Sequence, residues 1–274
     1  MVFDTCRHVS NTIRTFGGGS VAGRIDGKVA LVSGSAAGIG EAVTRRFAAE
    51  GARLWINDIN AARLDALVTE LRGDGVEVHG TAGDMSDSAF VTGWVDAANE
   101  RFGRIDILYN NVGMSRHSLV GDTTDEAWRF QQSMTLDTVF YATRAALPHM
   151  VRERKGSIVS MSSGAGVAGE YALGAYAAAK AGVINLMETV AMEYGPYGIR
   201  ANAVTPGPTA TAPMLAWLAT QQDGEAEHAK GLNLQRFSRP EEVAYAVLYL
   251  ASDEASNITG IVLRSNIRAG KRPF

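Results

Sequence analysis

The sequence predicts an α/β protein in which one doubly wound parallel sheet is flanked by helices. From Lys28 onward, short apolar segments of strand length alternate with longer segments of helical periodicity, which is typical of a parallel sheet covered on both faces. The first apolar segment runs directly into a glycine-rich turn and a helix. The 274 residues can bury a substantial core, and we find no linker. We therefore expect a single Rossmann-like domain over residues 24–274, with a sheet of about seven strands.

The first 23 residues differ from the rest in composition. They combine Arg7 and Arg14 with a single acid, Asp4, and a glycine run at 17–20, and they lack the continuous apolar core of a secretory signal. We expect residues 1–23 to form a flexible or loosely docked extension. A start site placed too far upstream and a transit peptide are the alternatives.

The composition favours a small-molecule partner over nucleic acid or a membrane. The chain carries 26 basic and 29 acidic residues, so its net charge of −3 gives no electrostatic footprint for a polyanion. No apolar run approaches the roughly 20 residues that cross a bilayer. The single cysteine, Cys6, cannot form an internal disulfide, which is typical of a reducing, cytoplasmic setting. The five histidines lack the close spacing of a zinc site, so we expect no metal.

The first strand and its turn predict a dinucleotide site. Residues 29–32 form a buried-strand pattern, and a helical pattern follows over 41–50. The turn between them carries three glycines, Gly34, Gly38 and Gly40. Glycines allow a tight turn and a close approach of the backbone to a pyrophosphate, while the helix directs its N-terminal N–H groups at the phosphates. The strand before the turn and the helix after it supply the context that this weak motif needs.

The second strand, residues 53–57, ends at Asp58. An acid about 20 residues after the glycine turn is placed to accept hydrogen bonds from the adenosine ribose and to repel a 2′-phosphate. Ala37 and Ile59 agree, because neither supplies a positive charge for that phosphate. The sequence therefore favours NAD over NADP. The alternative interpretation is that Asp58 caps the helix that begins near Ala61.

Two further strands end in polar groups at the same predicted edge of the sheet. The third, near residues 76–79, leads to Asp84, which is placed to contact the adenine amino group. The fourth, 105–109, leads to the Asn110-Asn-Val-Gly113 turn. Open α/β sheets bind ligands at the carboxyl ends of their strands, so we expect the Asn110 region to lie along the ribose.

A strand over residues 157–161 leads to Ser163, and a helix rich in alanine then carries Tyr176 and Lys180. Side chains four apart share a helix face, so Lys180 can stabilise the phenolate of a tyrosine whose ordinary pKa is about 10. By itself the pair is a weak signal and is more typical of an ordinary helix surface.

Beyond the helix that carries Tyr176 and Lys180, we expect a strand over residues 199–204, a helix from Arg239 through Leu250 and a last strand over 260–263. The turn after the first of these strands carries Pro206 and Gly207. A rigid turn there can bring Thr209 and Thr211 to the nicotinamide carboxamide.

These motifs resemble the short-chain dehydrogenase/reductase family in order and spacing, over roughly residues 24–264. The resemblance implies that Tyr176 is the general acid/base, that Lys180 holds the nicotinamide ribose and lowers the tyrosine pKa, and that Ser163 orients the substrate oxygen. It also implies a helix over 125–152 with a catalytic asparagine, but Thr135 stands at that position. The unusual tail, 264–270, lacks the acidic, double-glycine ending of relatives.

The resemblance also supplies the remaining expectations. The expected cofactor contacts are Gly34, Ser35, Gly38, Ile39, Gly40, Asp58, Asp84, Met85, Asn111, Gly113, Tyr176, Lys180, Pro206, Gly207, Thr209 and Thr211. The expected substrate pocket comprises Met114, His117, Val167, Tyr171, Met214 and Trp217. The last two belong to a substrate lid around residues 210–235, for which a packed surface helix is the alternative. A homotetramer is implied by the resemblance alone.

We expect an oxidoreductase that transfers a hydride between NAD(H) and a secondary alcohol or ketone, with a largely apolar or cyclic substrate. Two alternatives stay open. Within enzymes, the alternative is an NADPH-dependent carbonyl or 3-oxoacyl reductase. Outside enzymes, the chain would be an NAD-binding sensor with weak catalysis, an alternative motivated by Thr135 and the tail.

Overall fold

The computed structural model describes residues 22–221 and 224–267, so most of the predicted extension over 1–23 and the end of the tail lie outside the described residues. Seven parallel strands form one sheet in the order β3-β2-β1-β4-β5-β6-β7. The strands are β1 Val29–Ser33, β2 Arg53–Asp58, β3 Val78–Ala82, β4 Ile107–Asn110, β5 Gly156–Met161, β6 Ile199–Pro206 and β7 Val262–Ser265. The predicted fold class is confirmed.

Helices cover both faces of this sheet. They are α1 Gly38–Ala49, α2 Ala61–Gly73, α3 Ser88–Phe102, α4 Asp125–Gln132, α5 Thr138–Glu153, α6 Gly174–Tyr194, α7 Ala212–Leu218, α8 Gly224–Ala229 and α9 Pro240–Ala251. One core layer joins the sheet to α1, α2 and α9, and the other joins it to α3, α5 and α6. Within residues 22–221 and 224–267, no helix combines the length and the apolar character needed to span a membrane.

The strand order places the functional edge of the sheet. The strand β1 pairs with β2 on one side and with β4 on the other, so the chain reverses its direction of progress across the sheet between them. A crevice opens at the carboxyl ends of strands where such a reversal occurs. The glycine turn after β1 and the Asn111 turn after β4 both lie at this crevice.

Three strands begin two residues later in the chain than the sequence predicted. The sequence placed β3 near 76–79, β4 at 105–109 and β7 at 260–263, because the apolar residues lie there. The backbone N–H of Val76 instead donates to Leu71 O at 3.0 Å at the end of α2. Gly260 adopts φ +68°, which is incompatible with a strand. Apolar character marks burial, whereas pairing continues into the polar residues at the functional edge.

The helix predicted over residues 125–152 is interrupted. The helix α4 passes into a π turn, Ser133–Asp137, before α5 begins. Thr135 lies in the middle of that turn and is fully buried. Single π turns inside α-helices occur frequently at functional sites. The interruption therefore falls at Thr135, a position where the sequence departs from the family it resembles.

The segment predicted as a lid forms two short helices, α7 and α8. They pack around a small apolar cluster of Leu218, Ala229, Leu232 and Phe237 that is separate from the two main core layers. This packing is what the alternative, a packed surface helix, predicts. Its motion as a lid stays a prediction.

Candidate active site

The glycine turn is shaped for close approach to a ligand. Gly34 and Gly38 adopt φ of +62° and +55°, a region that favours glycine. A Cβ on Gly40 would overlap the Gly34 carbonyl oxygen and lie 2.6 Å from Asn111 Nδ2. Ala37 precedes α1 and provides no side-chain cap, so the first N–H groups of the helix point towards the crevice. This end of α1 can bind an anionic group.

Asn111 fixes the glycine turn against β4. Its Nδ2 donates to Gly34 O at 3.0 Å, and its backbone N–H donates to Ser33 Oγ at 3.1 Å. Tyr109 completes the support by donating its hydroxyl to Asn111 Oδ1 at 3.1 Å. Asn111 therefore braces the turn, and its side chain is committed to the protein.

Thr211 closes the glycine turn from the opposite side. A Cβ on Gly38 would lie 3.1 Å from Thr211 Cγ2, so the segment after β6 reaches the start of α1. Thr209 is buried and donates its hydroxyl to Gly207 O at 3.0 Å, which leaves its side chain turned inward. The Gly207 backbone is held by Ser265 O at 2.8 Å, next to Pro206 at the end of β6.

Asp58 joins the glycine turn to the start of α2. Its Oδ2 accepts from the Ala36 N–H and its Oδ1 accepts from the Asn60 N–H, both at 2.9 Å. The cap of α2 is Asn60, whose side chain accepts from Arg63 N at 3.0 Å. The alternative interpretation of Asp58 as the helix cap is therefore wrong. Its carboxylate lies beside the turn that would hold a dinucleotide.

The remaining predicted cofactor residues differ in how far their side chains are buried. Asp84 is exposed and accepts from Ser86 N at 2.8 Å. The side chains of Met85 and Ser35 are buried, the first in the core under α3 and the second bonded to Asn57 O at 3.0 Å. Ile39 packs partly against the core. The buried side chains of Met85 and Ser35 leave their backbone as the part that a ligand could reach.

Ser163 and Tyr176 lie together on the catalytic side. Ser163 follows β5, and its Oγ accepts from Ala165 N at 3.2 Å. Burial raises the pKa of Tyr176 above its ordinary value, while a hydrogen bond with Ser163 acts in the opposite direction. Tyr176 is therefore protonated at neutral pH in the protein without cofactor.

Lys180 is almost completely buried, with 2% of its surface exposed, which rules out the interpretation of an ordinary surface pair. Its Nζ donates to Met161 O at 2.6 Å and lies 5.7 Å from the centre of the Tyr176 ring. Burial lowers the pKa of Lys180 to about 8. The pKa of Tyr176 is raised in the protein without cofactor, so a lowering by Lys180 stays a prediction for the cofactor-bound protein.

The hydroxyl of Thr135 is hydrogen-bonded to Gln131, a residue that the sequence analysis did not single out. Its Oγ1 accepts from Gln131 Nε2 at 2.8 Å, and Gln131 is itself 1% exposed. The available signal was a polar side chain one helical turn before Thr135, on the same face of the helix. The helix therefore contributes a glutamine and threonine pair at the place where an asparagine was expected.

The predicted substrate residues lie on three segments. Met114 and His117 follow β4 and are exposed, while Val167 and Tyr171 follow the turn after Ser163. A backbone bond from Ser118 N to Ala172 O, 2.8 Å long, brings these two loops together. Met214 packs on the lid cluster, and the Trp217 ring lies 5.0 Å from His228 on α8. Tyr171 is 83% exposed, so it does not form a closed wall.

Comparisons with known proteins show the family and the fold. Residues 34–266 match the family model described as Enoyl-(Acyl carrier protein) reductase. The chain is 40% identical to 3-oxoacyl-[acyl-carrier-protein] reductase FabG of Thermotoga maritima, covering 88% of this chain and 96% of the relative. It is 36% identical to meso-2,3-butanediol dehydrogenase of Serratia marcescens, covering 86% and 92%. A solved Burkholderia xenovorans protein assigned to the short-chain dehydrogenases/reductases superimposes with a TM-score of 0.85 at 35% identity, covering 89% and 97%.

Proposed function

The chain belongs to the short-chain dehydrogenase/reductase family of oxidoreductases, and we propose that it transfers a hydride between NAD(H) and a secondary alcohol or ketone. One observation carries the proposal. The Ser163 and Tyr176 pair and the buried Lys180 lie beside the crevice of the glycine turn, and a Cβ on Gly113 would lie 3.0 Å from Lys180 Nζ. Acid–base groups and a dinucleotide cradle thus share one edge of the sheet.

The residues present fit a nicotinamide dinucleotide. The glycine turn leaves a cradle that side chains would fill, and the start of α1 offers uncapped N–H groups for the pyrophosphate. Asp58 would receive the adenosine ribose and Lys180 the nicotinamide ribose. The Asp58 carboxylate beside Ala36 supports NAD, because it would repel a 2′-phosphate. When bound, the oxidised cofactor accepts a hydride and the reduced form donates one.

The chemistry assigned to the protein residues is proton transfer. Ser163 would hold the substrate oxygen by a hydrogen bond, and Tyr176 would give that oxygen a proton during reduction or remove one during oxidation. The ammonium of Lys180 would stabilise the phenolate that remains after proton donation. All three groups lie on β5, its following turn or α6, so one rigid unit positions them.

The titration of Tyr176 supports reduction at neutral pH. Because burial raises its pKa, the phenol is protonated and ready to donate. Oxidation needs the phenolate, so its rate is expected to increase as the pH rises. The enzyme would therefore reduce ketones near neutrality and oxidise alcohols faster at alkaline pH.

Substrate choice rests on the loops around the crevice. Met114, Val167 and Trp217 would give a largely apolar wall, which suits a cyclic or otherwise apolar substrate. The 40% identity to a relative named as a 3-oxoacyl reductase favours a second candidate, an NADPH-dependent reductase of 3-oxoacyl thioesters. A homotetramer and a cytoplasmic location stay predictions.

The test is a spectroscopic screen for reduced-nicotinamide formation and consumption. Cyclic, aromatic and steroid-like alcohols, their ketones and a 3-oxoacyl thioester are each assayed with NAD(H) and with NADP(H). We expect turnover of a cyclic or apolar substrate with NAD(H), and in Tyr176→Phe a loss of about 10²–10⁴-fold with NADH binding retained. Faster turnover of the thioester with NADPH would favour the second candidate. Tight NAD binding without turnover of any substrate would favour the sensor.

A further inference from the structure

Gln131 is a buried amide whose hydrogen-bonding capacity is largely committed. It lies on the last turn of α4 and is 1% exposed. Its Nε2 donates to Met114 O at 2.6 Å and to Thr135 Oγ1 at 2.8 Å, so both N–H donors are used. Its Oε1 accepts from the backbone N–H of Arg116 at 3.2 Å. A buried amide with three bonds is an anchor, because each bond left unmade would cost about 1–3 kcal/mol.

The segment that Gln131 holds has little other support. Among the described residues, no backbone-to-backbone hydrogen bond fixes the loop over residues 112–117. The bonds to its backbone at Met114 and Arg116 come from the Gln131 side chain. The Arg116 guanidinium also lies over the Phe130 ring, 3.6 Å from its centre. Consecutive residues of α4 therefore tether this loop.

The same loop touches the buried lysine. A Cβ on Gly113 would lie 3.0 Å from Lys180 Nζ, so the Gly113 backbone forms one wall of the space around the ammonium. Met114, the next residue, is the one whose carbonyl Gln131 holds. A shift of the loop would therefore change the surroundings of Lys180 and move Met114 and His117 together.

Thr135 presents its methyl group to this wall. The position of a Cβ on Gly113 lies 4.0 Å from Thr135 Cγ2, while Thr135 Oγ1 is bonded to Gln131. The π turn brings the methyl to the loop and the hydroxyl to the amide. Gln131 is therefore a polar group that links this helix to the loop beside Lys180.

We propose that Gln131 is a positioning residue that fixes the 113–116 loop against Lys180 and so sets both the proton-transfer geometry and the wall of the substrate pocket. The proposal rests on the proposed function. Gln131 acts through Lys180 and the loop without touching substrate. Because the wrong loop position displaces reacting groups, a loss on the order of 10–100-fold in kcat/KM is expected when the tether is removed.

The test compares four variants with the wild type. Gln131→Met keeps the length of the side chain and removes all three bonds. Thr135→Val removes only the hydroxyl. Gln131→Glu keeps an acceptor for Arg116 N but can donate to Met114 O only when protonated. Asn202→Leu is the matched control, because it removes a buried amide bonded to Ile258 O at 3.0 Å and to Ile261 N at 3.1 Å, away from the loop.

Three readouts separate positioning from a merely structural role. We expect Gln131→Met to raise the KM for the alcohol or ketone, to shift the pH profile of kcat and to speed hydrogen exchange at the Arg116 amide. Thr135→Val should lower kcat by a smaller factor than Gln131→Met. The activity of Gln131→Glu relative to the wild type should rise as the pH falls, since protonation restores a donor. Asn202→Leu should lower the melting temperature without changing the KM or the pH profile.

The proposal is overturned if Gln131→Met keeps the wild-type KM, pH profile and Arg116 exchange rate, or if Thr135→Val loses as much activity as Gln131→Met. It also fails if Asn202→Leu reproduces the kinetic changes. Should Gln131→Met fail to fold, the pH dependence of Gln131→Glu decides the question. Absence of wild-type turnover would instead reject the proposed function, while exchange at Arg116 would still report whether the tether exists.

Discussion

The cofactor side and the catalytic side of the crevice are built on opposite physical principles. On the cofactor side, the glycines of the turn have no side chains that would fill the space for a ligand. Asp58 accepts a hydrogen bond from the backbone N–H of Ala36, which lies 22 residues earlier in the chain. On the catalytic side, Lys180 and Gln131 are polar side chains taken almost completely out of water. In the proposed function, binding of the dinucleotide would depend on open space beside a backbone, whereas proton transfer would depend on buried side chains.

Burial on the catalytic side changes the pKa values of two groups there. It lowers the pKa of Lys180 to about 8 and raises the pKa of Tyr176, so both groups are biased towards their neutral forms. A lysine pKa of about 8 lies close to neutral pH, whereas burial moves the tyrosine pKa further from it. Variants on the two sides should therefore change different observables.

The largest effect is expected for Lys180→Met, which removes the buried charge. Without the ammonium, kcat should fall on the order of 10²–10³-fold. Because the folded-state pKa of about 8 lies below the ordinary 10.5, the unfolded state binds more protons between these values, and wild-type stability rises with pH across that window. The stability of Lys180→Met relative to the wild type should therefore be highest near pH 7 and fall by up to about 3 kcal/mol by pH 10.5.

Thermal unfolding of the cofactor-free proteins between pH 7 and pH 10.5 measures this difference. Lys180→Arg is a useful companion variant, because its guanidinium stays charged over the whole range. A stability difference between Lys180→Met and the wild type that does not change with pH would contradict a buried lysine with a lowered pKa.

A smaller effect is expected for Gly40→Ala on the cofactor side. The new Cβ would overlap the Gly34 carbonyl oxygen, so the glycine turn must move. We expect the Kd for NADH to rise at least about tenfold and the free energy of unfolding to fall by about 1–3 kcal/mol. Fluorescence titration with NADH and denaturant unfolding measure both quantities.

Gly93→Ala is the matched control for this substitution. Gly93 lies inside α3, and a Cβ there would meet no atom within 4 Å. It should stabilise the protein by about 0.5–1 kcal/mol and leave NADH binding unchanged. Wild-type affinity in Gly40→Ala would show that the turn relaxes easily and that its tight shape is not required.

The smallest effect is expected for Asp58→Asn, which removes a charge and keeps an acceptor oxygen. The ratio of kcat/KM with NAD to kcat/KM with NADP should fall about tenfold, equivalent to about 1.4 kcal/mol of lost repulsion, and the change should shrink at high salt. Asp74→Asn, an exposed acid at the end of α2, is the control. An unchanged ratio would show that Asp58 does not select the cofactor.

The two sides also differed in how well they could be predicted. The parallel sheet, the glycine turn and the position of Asp58 after β2 follow from local patterns, because strand, turn and helix are adjacent in the chain. The starts of β3, β4 and β7 were misplaced, since apolar residues mark burial and hydrogen-bond pairing begins later. A lowering of the Tyr176 pKa by Lys180 stays a prediction, because burial raises that pKa in the protein without cofactor.

By itself, the sequence determined the family, the fold and the order in which polar groups reach the edge of the sheet, because these depend on periodicity and spacing. Only the tertiary structure decided what surrounds those groups. It placed Lys180 in the interior, set a π turn at Thr135 and gave Gln131 two partners on a loop 15 or more residues away in the chain. Burial and hydrogen bonding are properties of packed elements, so residues distant in the chain fixed the chemistry of the site.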